Sequence, residues 1–337
     1  MSKTRVGIIG AGYWGPNLVR NFMLVPDVEV AAIADLQESR RKFIKDRYPT
    51  INALADDAQL IGDPSIDAVV IATPVNTHFR LAEAALKAGK HVMLEKPMCA
   101  SARECDALIE LATKSNLTLM VDHTFLYTGA VRYIRQAIAE GRIGDILYFD
   151  SVRVNLGLFQ HDVNVIWDLA PHDVSIMDAI MPQKAKSVSA VGRASLGTKI
   201  ENIAYMTVTF EDSSIAHFHV NWLAPVKVRT TLIGGTKQMI VYDDTEPSEK
   251  IKIYDKGVTV ASNVEEIHRK LVEYRIGDMY APRLESTEAL LLVAKEFTDS
   301  IRERRKPLTD AESGRRVVSI LEAASESLKR DGAPVGL

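Results

Sequence analysis

The chain has 337 residues, 47% apolar and 25% charged, with a formal net charge of −3. That length exceeds the roughly 100–200 residues of one domain and predicts two. The charge excludes the basic surface of a nucleic-acid binder, and no apolar run reaches the ~18 residues of a membrane span. In chain order, Val6 to Ile9 reads as a buried strand, Asn17 to Leu24 as a helix and Val28 to Ala34 as a second strand. Leu36 to Tyr48 is expected to be helical, stopped before Pro49. Ala68 to Ala72 is another apolar strand, and His78 to Lys87 a helix closed by Gly89. His91 to Leu94 and Leu117 to Val121 are further strands. Ser101 opens the helix between them, with Glu104 three residues on as a capping box. Apolar strands alternating with helices predict a parallel sheet covered on both faces, the doubly wound architecture.

After a helix at Thr128 to Glu140 the pattern changes. Ile146 to Asn155, Ala185 to Ala194, Asn202 to Phe210, Ile215 to Trp222, Val228 to Ile233 and Gln238 to Tyr242 read as strands joined by short turns. A second, largely antiparallel sheet is therefore expected. Leu284 to Arg302 and Asp310 to Lys329 are helical again. The predicted fold class is α/β, with one domain over 1–122 and another over 123–337, the terminal helices being able to pack back on the first.

The two cysteines, Cys99 and Cys105, fit neither a disulfide framework nor a CxxC pattern. A reducing cytoplasm is expected, and no metal site. Cys105 should pack in a helix face, and Cys99 is a candidate to line a pocket. The positive run Arg302 to Lys306, broken by Glu303, suits a solvated helix end. Met1 to Arg5 resembles the start of a leader, but the apolar run after it is short and broken by Gly7.

Gly10-Ala11-Gly12-Tyr13-Trp14-Gly15 lies between a predicted strand and a predicted helix, and Asp35 follows Gly15 by twenty residues at the end of the second strand. This is the dinucleotide fingerprint. The first glycine permits the tight turn, Gly12 lets the backbone approach the pyrophosphate, and Gly15 lets the helix pack on the strand. The helix N-terminus favours phosphate. Asp35 would accept the adenosine ribose hydroxyls and repel a 2′-phosphate, favouring NAD over NADP; a helix cap is its alternative role. Arg40 and Arg41 keep NADP open, but they fall in a charged helix and read as solvated.

Glu95-Lys96-Pro97 follows the strand His91 to Leu94. Ligands of open α/β sheets sit beyond the strands' carboxyl ends, so Lys96 should point toward the cofactor crevice, where its charge could lower the pKa of a substrate hydroxyl. A surface lysine before a turn proline is the alternative. Pro97 allows a cis peptide. Thr73-Pro74 meets the same crevice, and Asn76 and His78 begin the next helix, as caps or as cofactor contacts.

Asp168 and His172 are four apart and share a helix face. Pro171 suits a first helical turn, so the pair is expected to straddle a helix start. A histidine near pKa 6.5 can take a hydroxyl proton, and Asp168 could orient it or bind the sugar. Packing at a domain junction is the alternative. His217 and His219, alternating on a strand, read as structural.

Together these clusters resemble the glucose–fructose oxidoreductase/inositol dehydrogenase/rhizopine-catabolism (Gfo/Idh/MocA) family over essentially the whole chain. The matching stretches are Gly10 to Gly15, Ala72-Thr73-Pro74 with His78, Gly89-Lys90-His91-Val92 leading into Glu95-Lys96-Pro97, and Asp168 with His172. The resemblance implies a Rossmann domain binding NAD, followed by an α/β domain with an open, mainly antiparallel sheet for substrate and oligomerisation. It implies a homodimer or homotetramer, and hydride transfer between a sugar-like secondary alcohol carbon and the nicotinamide. Lys96 and His172 would serve the hydroxyl, with Asp168 nearby; Tyr13, Trp14, Thr73, Pro74, Asn76, His78 and Glu95 join the glycines and Asp35 as cofactor contacts.

A narrower resemblance rests on Tyr13-Trp14-Gly15-Pro16-Asn17, Val121-Asp122-His123-Thr124-Phe125, Val154-Asn155-Leu156-Gly157 and Trp167 to His172. These look like bacterial members of surface-polysaccharide and nucleotide-sugar pathways, which often act at C3 of a nucleotide-linked hexose. His123, Arg153 and Asn155 are then candidate substrate contacts, with a solvated Arg153 as the alternative. Asp122-His123-Thr124 replaces the Asn-Arg-Arg-Phe type run frequent in inositol dehydrogenases. A free-sugar or inositol dehydrogenase is the rival within the class. A non-catalytic dinucleotide sensor is the rival outside it.

Overall fold

The computed structural model describes residues 3–157, 160, 163–260 and 272–337. The chain divides into two compact units, Met1–Thr128 with Thr287–Ser319, and Gly129–Ser286 with Ile320–Leu337.

The first unit runs β1 (Thr4–Ile9), α1 (Gly15–Met23), β2 (Val28–Ala34), α2 (Glu38–Arg47), β3 (Asn52–Leu54), α3 (Asp57–Gly62), β4 (Ala68–Ile71), α4 (Val75–Lys87), β5 (His91–Glu95), α5 (Ala102–Lys114) and β6 (Leu119–Asp122). The six strands form one parallel sheet in the order β3-β2-β1-β4-β5-β6. Every residue of β4 and β6 is buried, as a sheet covered on both faces requires. Ser101 caps α5 by accepting the Glu104 N–H at 3.2 Å. Glu104 in turn accepts the Ala100 N–H at 3.1 Å, one residue earlier than an ideal capping box.

The second unit contains α6 (Gly129–Ala139), β7 (Ile146–Leu156), α7 (Val165–Ile180), β8 (Ala185–Arg193), β9 (Ile203–Phe210), β10 (Ile215–Asn221), β11 (Leu223–Gly235), β12 (Met239–Asp243), β13 (Ile251–Tyr254), β14 (Gly257–Val260), β15 (Val272–Arg275) and β16 (Met279–Tyr280). Later in the chain come α8 (Ala289–Glu303), α9 (Ala311–Lys329) and β17 (Val335–Gly336). Nine strands form a mixed, mainly antiparallel sheet, β16-β13-β12-β11-β7-β10-β9-β8-β17. Within it β7 and β10 run parallel. Ala204, Met206, Val208 and Phe210 of β9 are buried while Tyr205 is exposed, the alternation of a sheet covered on one face. The helix α7 packs on β7, β9 and β10.

Helix α8 belongs to the first unit, where Phe297 meets Phe22 of α1 edge to face at 6.3 Å. It starts at Ala289, later than the expected Leu284. Pro171 is also placed differently from expectation. It is the seventh residue of α7, inside the helix. The helix start lies upstream, where Asn164 accepts the Trp167 N–H at 3.2 Å. Asp168 and His172 therefore both lie within one continuous helix.

Candidate functional site

The glycine turn leaves β1 under tight steric limits. Gly10 has φ +100°, and a Cβ there would lie 2.4 Å from the Ala72 carbonyl oxygen. A Cβ on Gly15 would lie 2.3 Å from the Gly10 oxygen. Both positions admit only glycine. The Asp35 carboxylate closes the turn: Oδ2 accepts the Ala11 N–H at 2.7 Å and Oδ1 the Gln37 N–H at 2.8 Å. Asp35 thus ties the glycine turn to the start of α2 in addition to any ribose contact.

A cleft of about 360 Å³ opens here, lined by Gly10, Gly12, Asp35, Arg40, Thr73 and Pro74 among others. Arg40, expected to be solvated, lines this cleft 3.9 Å from Asp35 and beside Gly12. Arg41 instead donates to the carbonyls of Asp35 and Leu36 at 2.8 and 2.9 Å. Tyr13 and Trp14 are exposed and meet edge to face at 5.2 Å. A glycine cradle, a carboxylate at the second strand and the start of α1 suit a dinucleotide.

Asn76 is exposed on α4, and neither it nor His78 caps that helix. His78 is buried, with ring nitrogens 2.8 Å from the Thr73 carbonyl oxygen and 3.0 Å from that of Pro97. It ties the cleft-lining loop to the residue after Lys96. Burial holds the His78 pKa below its ordinary value. The Lys96–Pro97 peptide is cis, and Lys96 is half-buried at the carboxyl end of β5.

Glu95, expected as a cofactor contact, has a carboxyl neighbour that the motifs did not pair with it. Glu95 and Asp122 are in-register partners on the parallel strands β5 and β6, and both are buried. Burial raises the Glu95 pKa, the Asp122 charge raises it further, and the Lys96 charge opposes both. Asp122 is also raised, by burial. Its Oδ1 accepts the Thr124 hydroxyl at 2.7 Å, and its Oδ2 has no partner. His123 is buried with neither ring nitrogen partnered, and burial takes its pKa down to about 3. Cys99, considered for a pocket wall, is fully buried. A hydrogen bond with Cys105, then burial, raises its thiol pKa, so the thiol is unreactive.

In the second unit, Asp168 and His172 lie half-buried one turn apart on α7. Asp168 Oδ2 accepts the Nε1–H of buried Trp222 at 2.9 Å, which fixes the carboxylate's direction. The His172 carbonyl accepts the Ser175 hydroxyl at 2.7 Å. The alternative of a solvated Arg153 is corrected by its burial and pairing. Its side chain is 3% exposed and donates through two nitrogens to Asp173, at 2.7 and 2.8 Å. Asn155 is half-buried on the same strand. Asp173 sits beside His172 in sequence; an acidic residue within a largely apolar helix was its available signal.

A parallel nucleotide-binding sheet with a glycine turn, in one chain with a mixed antiparallel sheet, defines a dinucleotide-dependent oxidoreductase. Residues 4–123 match the model of an oxidoreductase family with an NAD-binding Rossmann fold, and residues 131–241 match the family's C-terminal domain. The chain belongs to this Gfo/Idh/MocA family. It is 26% identical over 327 residues to UDP-N-acetylglucosamine 3-dehydrogenase of Acidithiobacillus ferrooxidans, covering 95% of each chain. A solved structure of that protein matches with a TM-score of 0.83 at 25% identity, over 98% of this chain and 99% of the other. Myo-inositol 2-dehydrogenase of Thermotoga maritima is 24% identical over 96% of each chain. The uncharacterized oxidoreductase YdgJ of Escherichia coli is 33% identical over 73% of each.

Proposed function

We propose that this oxidoreductase uses NAD to interconvert a secondary hydroxyl and a keto group, at C3 of a nucleotide-linked sugar. The observation that carries the reading is the cleft at Asp35 and the glycine turn, with Lys96 at the carboxyl end of β5 in the same sheet. The similarity to UDP-N-acetylglucosamine 3-dehydrogenase along nearly the whole chain supports the substrate class.

The glycine turn, Asp35, Thr73 and Pro74 would hold the dinucleotide, whose nicotinamide, when bound, exchanges hydride with the carbon. In oxidation, His172 takes the hydroxyl proton. The Lys96 ammonium stabilises charge developing on the oxygen. Asp168, aimed by Trp222, orients the substrate or His172. In reduction the proton returns from His172. Assembly as a cytoplasmic homodimer or homotetramer accompanies this reading.

A free-sugar or inositol dehydrogenase is the second reading. The myo-inositol relative and the engagement of Arg153 by Asp173 favour it. Following nicotinamide absorbance with UDP-N-acetylglucosamine, free hexoses and myo-inositol separates the two. Turnover confined to myo-inositol would overturn the nucleotide-sugar assignment. Dinucleotide binding without turnover on any polyol would overturn both.

A further inference from the structure

We propose that Glu95 and Asp122 form a buried carboxyl pair that carries one proton at neutral pH, positions Lys96 and keeps it charged. The inference rests on the reading of Lys96 as the group serving the substrate hydroxyl.

Parallel pairing sets Glu95 beside Asp122 at the carboxyl ends of β5 and β6. Neighbouring strands lie about 4.8 Å apart, so two carboxylates are held close by backbone hydrogen bonds. Both are buried, at 8% and 1% exposure. Like charges this close in a dry site cannot both ionise without compensation. The compensation present is small. Glu95 Oε2 accepts the Lys96 backbone N–H at 3.2 Å, and Asp122 Oδ1 accepts the Thr124 hydroxyl at 2.7 Å. Asp122 Oδ2 has no acceptor-side partner, although it is buried.

Charge balance decides the proton count. Lys96 acts on both carboxyls, and Asp122 acts on Tyr127 together with Glu296 of α8; the Lys96 charge also acts on His123 and His78. Burial lowers the His123 pKa to about 3, lowers that of His78 and raises that of Tyr127. Among the described residues, Lys96 is the cation whose charge acts on both carboxyls. Two carboxylates against one ammonium would leave a net buried negative charge, which is costly. One carboxylate, one carboxylic acid and one ammonium are neutral together. Either carboxyl holds the proton, so the titration belongs to the pair. The consequence is directional. As pH rises, the pair loses its proton, and the added negative charge favours the ammonium form of Lys96.

The test is an infrared pH titration of the protein, reading the carbonyl stretch of protonated carboxyl groups, in wild type, Asp122→Asn, Glu95→Gln and Lys96→Met. Wild type is expected to show a protonated carboxyl at neutral pH that disappears as pH rises. Asp122→Asn and Glu95→Gln each remove the like-charge neighbour, so the remaining carboxyl ionises and the neutral-pH band vanishes. Lys96→Met removes the cation, so the band grows and persists to higher pH. In turnover, the inflection matching the wild-type band should be absent from Asp122→Asn, while dinucleotide affinity changes less than twofold.

A wild-type spectrum without the band at neutral pH overturns the proposal, even if no variant folds. So does a band that neither Asp122→Asn nor Glu95→Gln alters. The spectra read the proton whether or not the enzyme turns over. Full turnover by Lys96→Ala would instead overturn the role of Lys96 and leave the carboxyl pair standing.

Discussion

On the proposed use of NAD, replacing Asp35 by Asn should shift coenzyme preference toward NADP, by an amount that follows from the charges lining the cleft. Unit charges about 4 Å apart interact by ~4 kcal/mol at an effective dielectric constant near 20. A 2′-phosphate brought into contact with Asp35 meets a repulsion of that order. Arg40, 3.9 Å from Asp35, would attract the same phosphate without cancelling the repulsion. The Arg40 side chain is 44% exposed and that of Asp35 only 9%, so solvent weakens the attraction more than the repulsion. The difference is about 1.5–3 kcal/mol, or roughly tenfold to a hundredfold in favour of NAD. Asn keeps an oxygen for the Ala11 N–H and gives up the bond from the Gln37 N–H, so the glycine turn keeps its tie while the charge is lost. NAD should bind about tenfold more weakly, since a hydrogen bond to a charged group is worth roughly 1.5–3 kcal/mol. NADP should bind more tightly, and Arg40→Ala should instead widen the preference for NAD. Fluorescence titration of both coenzymes measures the two dissociation constants. If their ratio moves by less than about twofold in Asp35→Asn, the electrostatic account of selectivity is wrong.

Lys96→Ala and His172→Ala should each lower turnover by about 10²–10⁴-fold, the usual worth of positioned proton-handling groups. Coenzyme affinity should stay close to wild type in both, and near-normal turnover in either would remove that residue from the chemistry. Asp173→Asn should destabilise the second unit by about 3–5 kcal/mol, because it strands the buried Arg153 guanidinium. Arg153→Met combined with Asp173→Leu should recover most of that loss in chemical denaturation. A single-variant loss below ~1 kcal/mol would mean the pair is solvated. His123 should make stability fall as pH drops. Its folded pKa lies at about 3, below the ordinary 6.5, so the unfolded chain binds a proton that the folded chain refuses. The contribution is present above about pH 6.5 and is lost below it at up to ~1.4 kcal/mol per pH unit. Glu95 and Asp122 act with the opposite sign. Their folded pKa values are raised, so stability falls as pH climbs through and beyond the ordinary carboxylate range. His123→Asn should flatten the acid limb of melting temperature against pH, and Asp122→Asn the alkaline limb.

Where backbone geometry dictates the residue, the sequence is readable. Gly10 and Gly15 are glycines because a Cβ would strike a carbonyl oxygen, and that demand appears directly in the motif. The parallel and antiparallel sheets were equally legible, because burial on both faces and on one face leave different apolar patterns. Short elements were not. The three-residue β3, the six-residue α3 and the edge strands β16 and β17 are too brief to carry a period. Pro171 was misplaced for a different reason. The local rule puts proline in a first turn, but Asn164 already caps α7, and packing on three strands offsets the lost hydrogen bond.

Side-chain pairing was the least legible property, and the two buried charge clusters show why. Arg153 and Asp173 lie twenty residues apart, and each alone reads as an ordinary polar residue. Glu95 and Asp122 each end an apolar strand; the first reads as a cofactor contact and the second as part of a family motif, and neither reading pairs them. Their meanings arise only when register and packing bring the partners together, and the outcomes differ. In the second unit the partners carry opposite charge, so two direct hydrogen bonds satisfy both. In the first unit they carry like charge, so Lys96 and a proton must complete the balance, and proton count follows pH. The glycine turn reveals that a dinucleotide binds. On the proposed role of Lys96, the charge state of the Glu95–Asp122 pair sets the pH range over which the proton-handling reaction runs.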